Sequence, residues 1–175
     1  MTDDALPTAP AAPPPGRFAY DCPLRWSDMD AYGHVNNARF LTLYEEARVA
    51  MMFVDARVQG RPLFTAGVVI ARQEVDYLRP VTYDTKAAAA APATVRITLW
   101  PEDVRQASFA VRYEMHDGDT LVSRARSVLV AYDVAAERPR RLTDDELLFL
   151  HRSAADGAAG TAAPGVPAEV PAGGE

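Results

Sequence analysis

The stretch Arg25-Trp26-Ser27-Asp28-Met29-Asp30-Ala31-Tyr32-Gly33-His34-Val35-Asn36-Asn37 packs two carboxylates, a glycine, a histidine and two asparagines into one short segment, then gives way to a helical pattern. Asp, Asn and Gly are turn formers, because their side chains bond the nearby backbone or tolerate unusual dihedrals. From Asn37 to about Asp55 the residues Phe40, Leu43, Tyr44, Ala47, Met51 and Val54 recur at the i, i+3, i+4, i+7 spacing of one helix face. Leu41, Val49, Ala50 and Met52 widen that face, leaving only a narrow polar stripe through Arg39, Thr42, Glu45 and Glu46. Such a helix is expected to be central and wrapped on several sides. Asn36 and Asn37 are its N-cap candidates.

Outward from this helix the pattern changes period. Phe18 to Trp26 reads as a first strand, bounded by Gly16 and by Ser27-Asp28. Beyond Gly60 and Pro62, the segments Gly67 to Leu78, Thr85 to Leu99, Val104 to His116 and Thr120 to Tyr132 read as further strands. Phe109, Val111, Tyr113 and Met115 interleave with Ala110, Arg112 and Glu114, which places the large apolar groups on one face. Asp117-Gly118 supplies a hairpin turn. The run Ala87 to Ala91 has helix propensity, yet Pro92 follows and Val95, Ile97 and Leu99 alternate, so strand is expected there. Thr143 and Glu146 have capping-box spacing ahead of Leu147, Leu148 and Leu150, predicting a short terminal helix. The expected order is β, α, β, β, β, β, α, an α+β class.

At both ends the composition turns to Ala, Pro and Gly. Residues 1–16 and 154–175 bear too few large apolar groups to offset the entropy of ordering, so both are expected to be disordered arms around one domain over 17–153. The 175 residues are 49% apolar and 24% charged, an ordinary globular balance. No apolar run is long enough to span a bilayer, and the acidic start lacks a signal peptide's basic and apolar regions, which makes the cytoplasm the expected location. The lone Cys22 excludes an internal disulfide and a cysteine metal cluster, so no metal is expected. A net charge of −6 argues against nucleic acid or an anionic membrane as partner. It leaves room for a small anionic ligand held by a local group drawn from Arg72, Arg79, Arg105, Arg124 and Arg126, or from the run Arg138, Arg140 and Arg141.

The Asp28-x-Asp30 pair, Gly33 and His34-Val35-Asn36-Asn37 leading into Tyr44-Glu45-Glu46-Ala47-Arg48 resemble the 4-hydroxybenzoyl-CoA thioesterase branch of the hot-dog superfamily. Val75-Asp76-Tyr77-Leu78-Arg79-Pro80-Val81 and the spacing to Asp117-Gly118 are similar too, so the resemblance covers about Phe18 to Pro139. It implies a hot-dog fold, an antiparallel β-sheet wrapped around a long central α-helix, in a homodimer or homotetramer with active sites between subunits. It also implies hydrolysis of an acyl-CoA thioester without a cofactor. Asp30 would attack the carbonyl or activate water, and the backbone N–H near Asn37 would polarise the carbonyl oxygen. The physical logic is independent: a helix's first turn has unpaired N–H groups and a positive dipole end, and a thioester is reactive enough to need only a carboxylate beside such a donor.

Each residue of this set also has a plainer reading. Asp28 either pairs with Asp30 or bonds the turn; His34 either relays a proton or orients the loop. Gly33, Val35, Asn36 and Tyr44 join Asp28 as expected substrate-binding positions, although Tyr44 also reads as core and Asn36 as a cap. Glu46 is the reserve carboxylate, and Cys22 reads as an inert buried thiol. Three rivals remain: an acyl carrier protein thioesterase, a hot-dog dehydratase with His34 as base, and a non-catalytic acyl-CoA sensor. The Asp-x-Asp pair speaks against the dehydratase.

Overall fold

Phe109, Val111, Tyr113 and Met115 lie at 1%, 0%, 1% and 0% exposure, so the alternation seen in the sequence does set the buried face of the sheet. The computed structural model describes residues 17–55, 57, 60 and 62–155. The expected N-terminal arm, and the expected C-terminal arm apart from Ala154 and Ala155, fall outside those residues.

The strands are β1 (Phe18–Pro23), β2 (Val68–Tyr77), β3 (Thr94–Glu102), β4 (Ser108–Asp117), β5 (Thr120–Asp133) and the short β6 (Arg138–Pro139). They form one antiparallel sheet in the order β1-β3-β4-β5-β2, with β6 paired to the end of β5. The β4–β5 hairpin turns at Gly118, whose φ of +56° is the left-handed conformation that the Asp-Gly signal demands. Tyr77 is in register with Ser123 and Val68 with Ala131, so β2 closes one edge of the sheet.

The helix α1 (Asn37–Val49) buries Phe40, Leu43, Tyr44 and Ala47 in one apolar cluster with Val95, Ile97, Leu99 and Tyr113 of the sheet. Each large side chain of this kind stabilises the fold by roughly 1.5–3 kcal/mol when fully buried. Past Val49 the helix widens into a π-helical segment, Ala50–Asp55. That change of pitch turns Met51 and Met52 inward and leaves Phe53 and Val54 exposed, which corrects the sequence-based placing of Val54 on the core face. The wrapping is also one-sided: Leu41 and Val49 on the flank of α1 are exposed in the single chain.

Three further expectations change. Thr85–Ala88 is one helical turn, α2, and β3 begins only at Thr94. The alanine propensity prevails locally, and Pro92 separates that turn from the alternating segment behind it. The first strand ends at Pro23, and Trp26–Asp28 form a 3-10 turn instead of its last residues. The terminal helix α3 spans Asp144–Ala155, two residues past the expected domain boundary. Its capping box is present: Glu146 N–H donates to Thr143 Oγ1 at 3.2 Å and Thr143 N–H to Glu146 Oε2 at 2.8 Å. No helix among the described residues is long and apolar enough to cross a membrane.

Candidate active site

The segment from Asp28 to Asn37 folds into a small hairpin that delivers a carboxylate to the start of α1. Met29 and Val35 form an antiparallel bridge, Asp30 N–H donates to His34 O at 2.8 Å, and Gly33 N–H donates to Asp30 O at 3.1 Å. Gly33 has φ +80°, the conformation that closes the turn at no steric cost only for glycine. Inside the loop, Asp30 Oδ1 accepts the N–H groups of Tyr32 at 2.8 Å and His34 at 3.4 Å. Both bonds fall on Oδ1, so the carboxylate is fixed through one oxygen and Oδ2 is left uncommitted among the described residues.

The helix start is anchored just as locally. Val35 N–H donates to Val81 O at 2.7 Å and Asn36 N–H to Asp28 O at 2.9 Å. Asn36 is the N-cap, and its side-chain oxygen accepts from Ala38 N–H at 2.9 Å. The cap is thereby spent on the second helical residue. The N–H of Asn37, the first, is not taken by it and stands at the positive end of the helix dipole.

These groups meet in a cleft of about 320 Å³ lined by Asp30, Val35, Asn37, Phe40, Tyr77, Leu78, Arg79 and Pro80. Tyr77 donates its hydroxyl to Asn37 O at 3.1 Å and stacks edge-on against Phe40, with centroids 5.2 Å apart. The far wall therefore ties the end of β2 to the first turn of α1.

Of the residues singled out from the sequence, Asp30, Val35 and Asn37 line this cleft, as does Arg79 from the candidate anion-binding arginines; Asp28, Gly33, His34, Asn36 and Tyr44 do not. Asp28 is 7% exposed, accepts Arg25 N–H on Oδ2 at 2.8 Å, and holds Arg39 Nε at 3.4 Å from Oδ1. It thus links the 3-10 turn, the N-cap and the first turn of α1. His34 is exposed, with its backbone serving the Asp30 turn. Tyr44 is wholly buried, its ring centroid 4.9 Å from that of Tyr113, and burial pushes its phenol well above its ordinary pKa.

Cys22 is buried and donates its thiol to Glu46 Oε2 at 3.2 Å. Burial, then that hydrogen bond, push the thiol up to about 12, which leaves it protonated and inert as a nucleophile at neutral pH. Glu46, the reserve carboxylate, is committed to this contact and lies outside the cleft lining.

Phe40, Tyr77, Leu78 and Pro80 join the site without a sequence signal of their own, because Phe40 reads as core, Tyr77 and Leu78 as strand, and Pro80 lies just past that strand. The nearest signal is the Val75 to Val81 segment, whose resemblance carries no role for these residues.

Comparison with known proteins bears on the family and the fold. The profile of the Thioesterase-like superfamily matches residues 24–171. A 1,4-dihydroxy-2-naphthoyl-CoA hydrolase of Nostoc punctiforme is 27% identical over 142 residues, 79% of this chain and 90% of that protein. Among solved structures, one described as a predicted thioesterase from Bacillus stearothermophilus superposes with a TM-score of 0.63 at 24% identity, covering 78% of this chain and 96% of that one. A thioesterase from Thermus thermophilus, complexed with coenzyme A and Zn, gives 0.58 at 25% identity over 77% of this chain and 92% of that one. With most of its length matched by the family profile and a long helix packed on an antiparallel sheet, the chain belongs to the thioesterase-like superfamily and is a hot-dog thioesterase.

Proposed function

We propose that the chain hydrolyses an acyl-CoA thioester to the free acid and CoA, with Asp30 as nucleophile or general base and the Asn37 N–H as the donor to the carbonyl oxygen. The observation that carries this is the meeting, in one cleft, of a carboxylate held through a single oxygen and the uncapped first N–H of a helix. As nucleophile, Asp30 Oδ2 attacks the thioester carbon, the C–S bond breaks to release the thiolate, and water hydrolyses the mixed anhydride. As base, it takes a proton from a water whose oxygen attacks the same carbon, and the C–S bond then breaks to release the thiolate, which takes up the proton. In either route negative charge develops on the carbonyl oxygen, where a preorganised donor is worth on the order of 100-fold to 1,000-fold in rate.

The alternatives find less support. A dehydratase needs a base beside the acyl α-carbon, and His34 lies outside the cleft lining. An acyl carrier protein thioester undergoes the same chemistry and differs only in the carrier.

The test is thiol release from a panel of aliphatic and aromatic acyl-CoAs, a dihydroxynaphthoyl thioester included, by the parent and by Asp30→Asn at matched folding. Turnover by the parent and a loss of about 1,000-fold or more in the variant are expected. Binding without thiol release would leave a sensor; an equally active variant would remove Asp30 from the mechanism. Protein mass during a single turnover separates the routes, since only the nucleophilic one adds the acyl group to the chain.

We further propose a homodimer formed through β2. Its outer edge has no partner strand among the described residues, and Val69, Ile70 and Tyr77 are exposed along it.

A further inference from the structure

We propose that Arg79 makes the cleft selective for acyl groups bearing a carboxylate at their far end, an inference that rests on the thioesterase reading above. Arg79 is the one cation among the lining residues, set in a wall otherwise built from Phe40, Tyr77, Leu78 and Pro80. Its backbone N–H is fixed to Val122 O at 3.1 Å, so the point from which the side chain departs is defined. Arg39, Arg72, Arg112, Arg124 and Arg126 each hold a carboxylate of the chain. Among the described residues Arg79 holds none, Asp30 included.

An arginine without a partner at the mouth of an acyl-CoA site invites the simpler assignment to the CoA phosphates, and length decides against it. The pantetheine arm puts about 13 bonds, roughly 15 Å when extended at backbone dimensions, between the thioester sulfur and the nearest phosphate. A cleft of about 320 Å³ is roughly 8–9 Å across if taken as a sphere. Arg79 lines this cleft together with Asp30, nearer to the thioester than the phosphates can come, and we assign its exposed side chain to the acyl side of the sulfur. Guanidinium meets carboxylate in a two-point, charge-assisted pair, which is stronger beside apolar walls than in open water. Asp30 repels a second acid close to the carbonyl, so the favoured carboxylate is the distal one. The acyl body between them would be the short aliphatic or aromatic piece that Val35, Phe40 and Tyr77 accommodate.

The test compares kcat/KM for two matched pairs, glutaryl-CoA against its methyl ester and 4-carboxybenzoyl-CoA against its methyl ester, in the parent, Arg79→Gln and Arg79→Lys. The parent is expected to favour the free acid by about tenfold or more in at least one pair, through KM. Arg79→Gln should bring the acid-to-ester ratio to about one, and Arg79→Lys should keep part of the preference because the charge survives without the planar fork. A parent that hydrolyses acid and ester equally, or a ratio unchanged in Arg79→Gln, overturns the proposal while leaving the thioesterase reading intact. A parent that releases thiol from no acyl-CoA at all overturns both.

Discussion

Among the described residues Asp30 bonds only within its own turn and lines the cleft, whereas Asp28, two residues earlier, is buried and ties together three segments on which the proposed alignment of the Asn37 N–H depends. Asp28 is thus a positioning residue, and its loss is expected to act on the chemical step. Asp28→Asn keeps an oxygen for Arg25 N–H but gives up the charge opposite Arg39, so kcat should fall about tenfold with KM little changed, equivalent to ~1.4 kcal/mol of transition-state stabilisation. Arg39→Met should reproduce that fall, and the double variant should be no worse than either single one, as expected for two ends of one contact. Additive losses, or a change confined to KM, would sink the idea. At this scale the sequence is informative about the turn and the helix start, because those contacts are local. It is silent about Tyr77, Leu78 and Pro80, which reach the site only because β2 pairs with β5 and returns its end to α1. No short-range pattern encodes a wall made by residues some forty positions away.

Elements that follow a single period are legible in the sequence, and elements that change period are not. The capping box at Thr143 and Glu146 and the alternation through β4 both appear as read. The π-helical segment after Val49 and the one-turn helix at Thr85–Ala88 break the pattern on either side of them, and periodicity misplaces both. The capped end of α3 carries more than a helix start. Glu146 also accepts Phe64 N–H at 3.0 Å, where Phe64 is held at φ +57°, and both Oε atoms take Arg140 guanidinium bonds at 2.8 Å. Burial alone would raise the Glu146 carboxyl, but Arg140 and the Thr143 and Phe64 N–H groups outweigh it and hold the group below its ordinary value of 4.5. A carboxyl lowered in the folded state binds its proton more readily when unfolded. Its stabilisation is therefore complete above about pH 4.5 and drains away as pH falls through the lower folded value. Thermal melts should show Glu146→Gln less stable than the parent at neutral pH, with the gap closing as pH falls below the ordinary carboxyl value. Thr143→Ala, which removes only the cap, should cost about 1 kcal/mol at either pH. A Glu146→Gln deficit that does not change across that range would show that shape, not charge, makes the contribution.

At the scale of the whole molecule the chain leaves one side unfinished. The sheet covers one side of α1, yet Leu41, Val49, Phe53 and Val54 along its flank and the π-helical segment are exposed, as are Val69, Ile70 and Tyr77 of the edge strand β2. The sequence reading of a helix wrapped on several sides is met by one chain on one side only; the breadth of that apolar face is the signal that something else covers the rest. The proposed second copy would do so economically, because an antiparallel pairing of two β2 strands about a two-fold axis would extend the sheet across both chains and satisfy both edges with the same contacts. The cleft stands at this border, since Tyr77 is at once the end of β2 and a wall of the site. Covering the flank should therefore govern activity as well as mass. Light scattering is expected to give twice the 19.0 kDa of one chain or a multiple of that. Ile70→Lys, which places a charge in the proposed contact, should shift the population toward single chains and lower thiol release in proportion to the dimer lost. Leu148→Lys, at an exposed position of α3, a helix that packs chiefly on β3, should change neither. A parent that is monomeric at assay concentration and still turns over would show that the cleft of one chain is sufficient, and Ile70 would then need no partner.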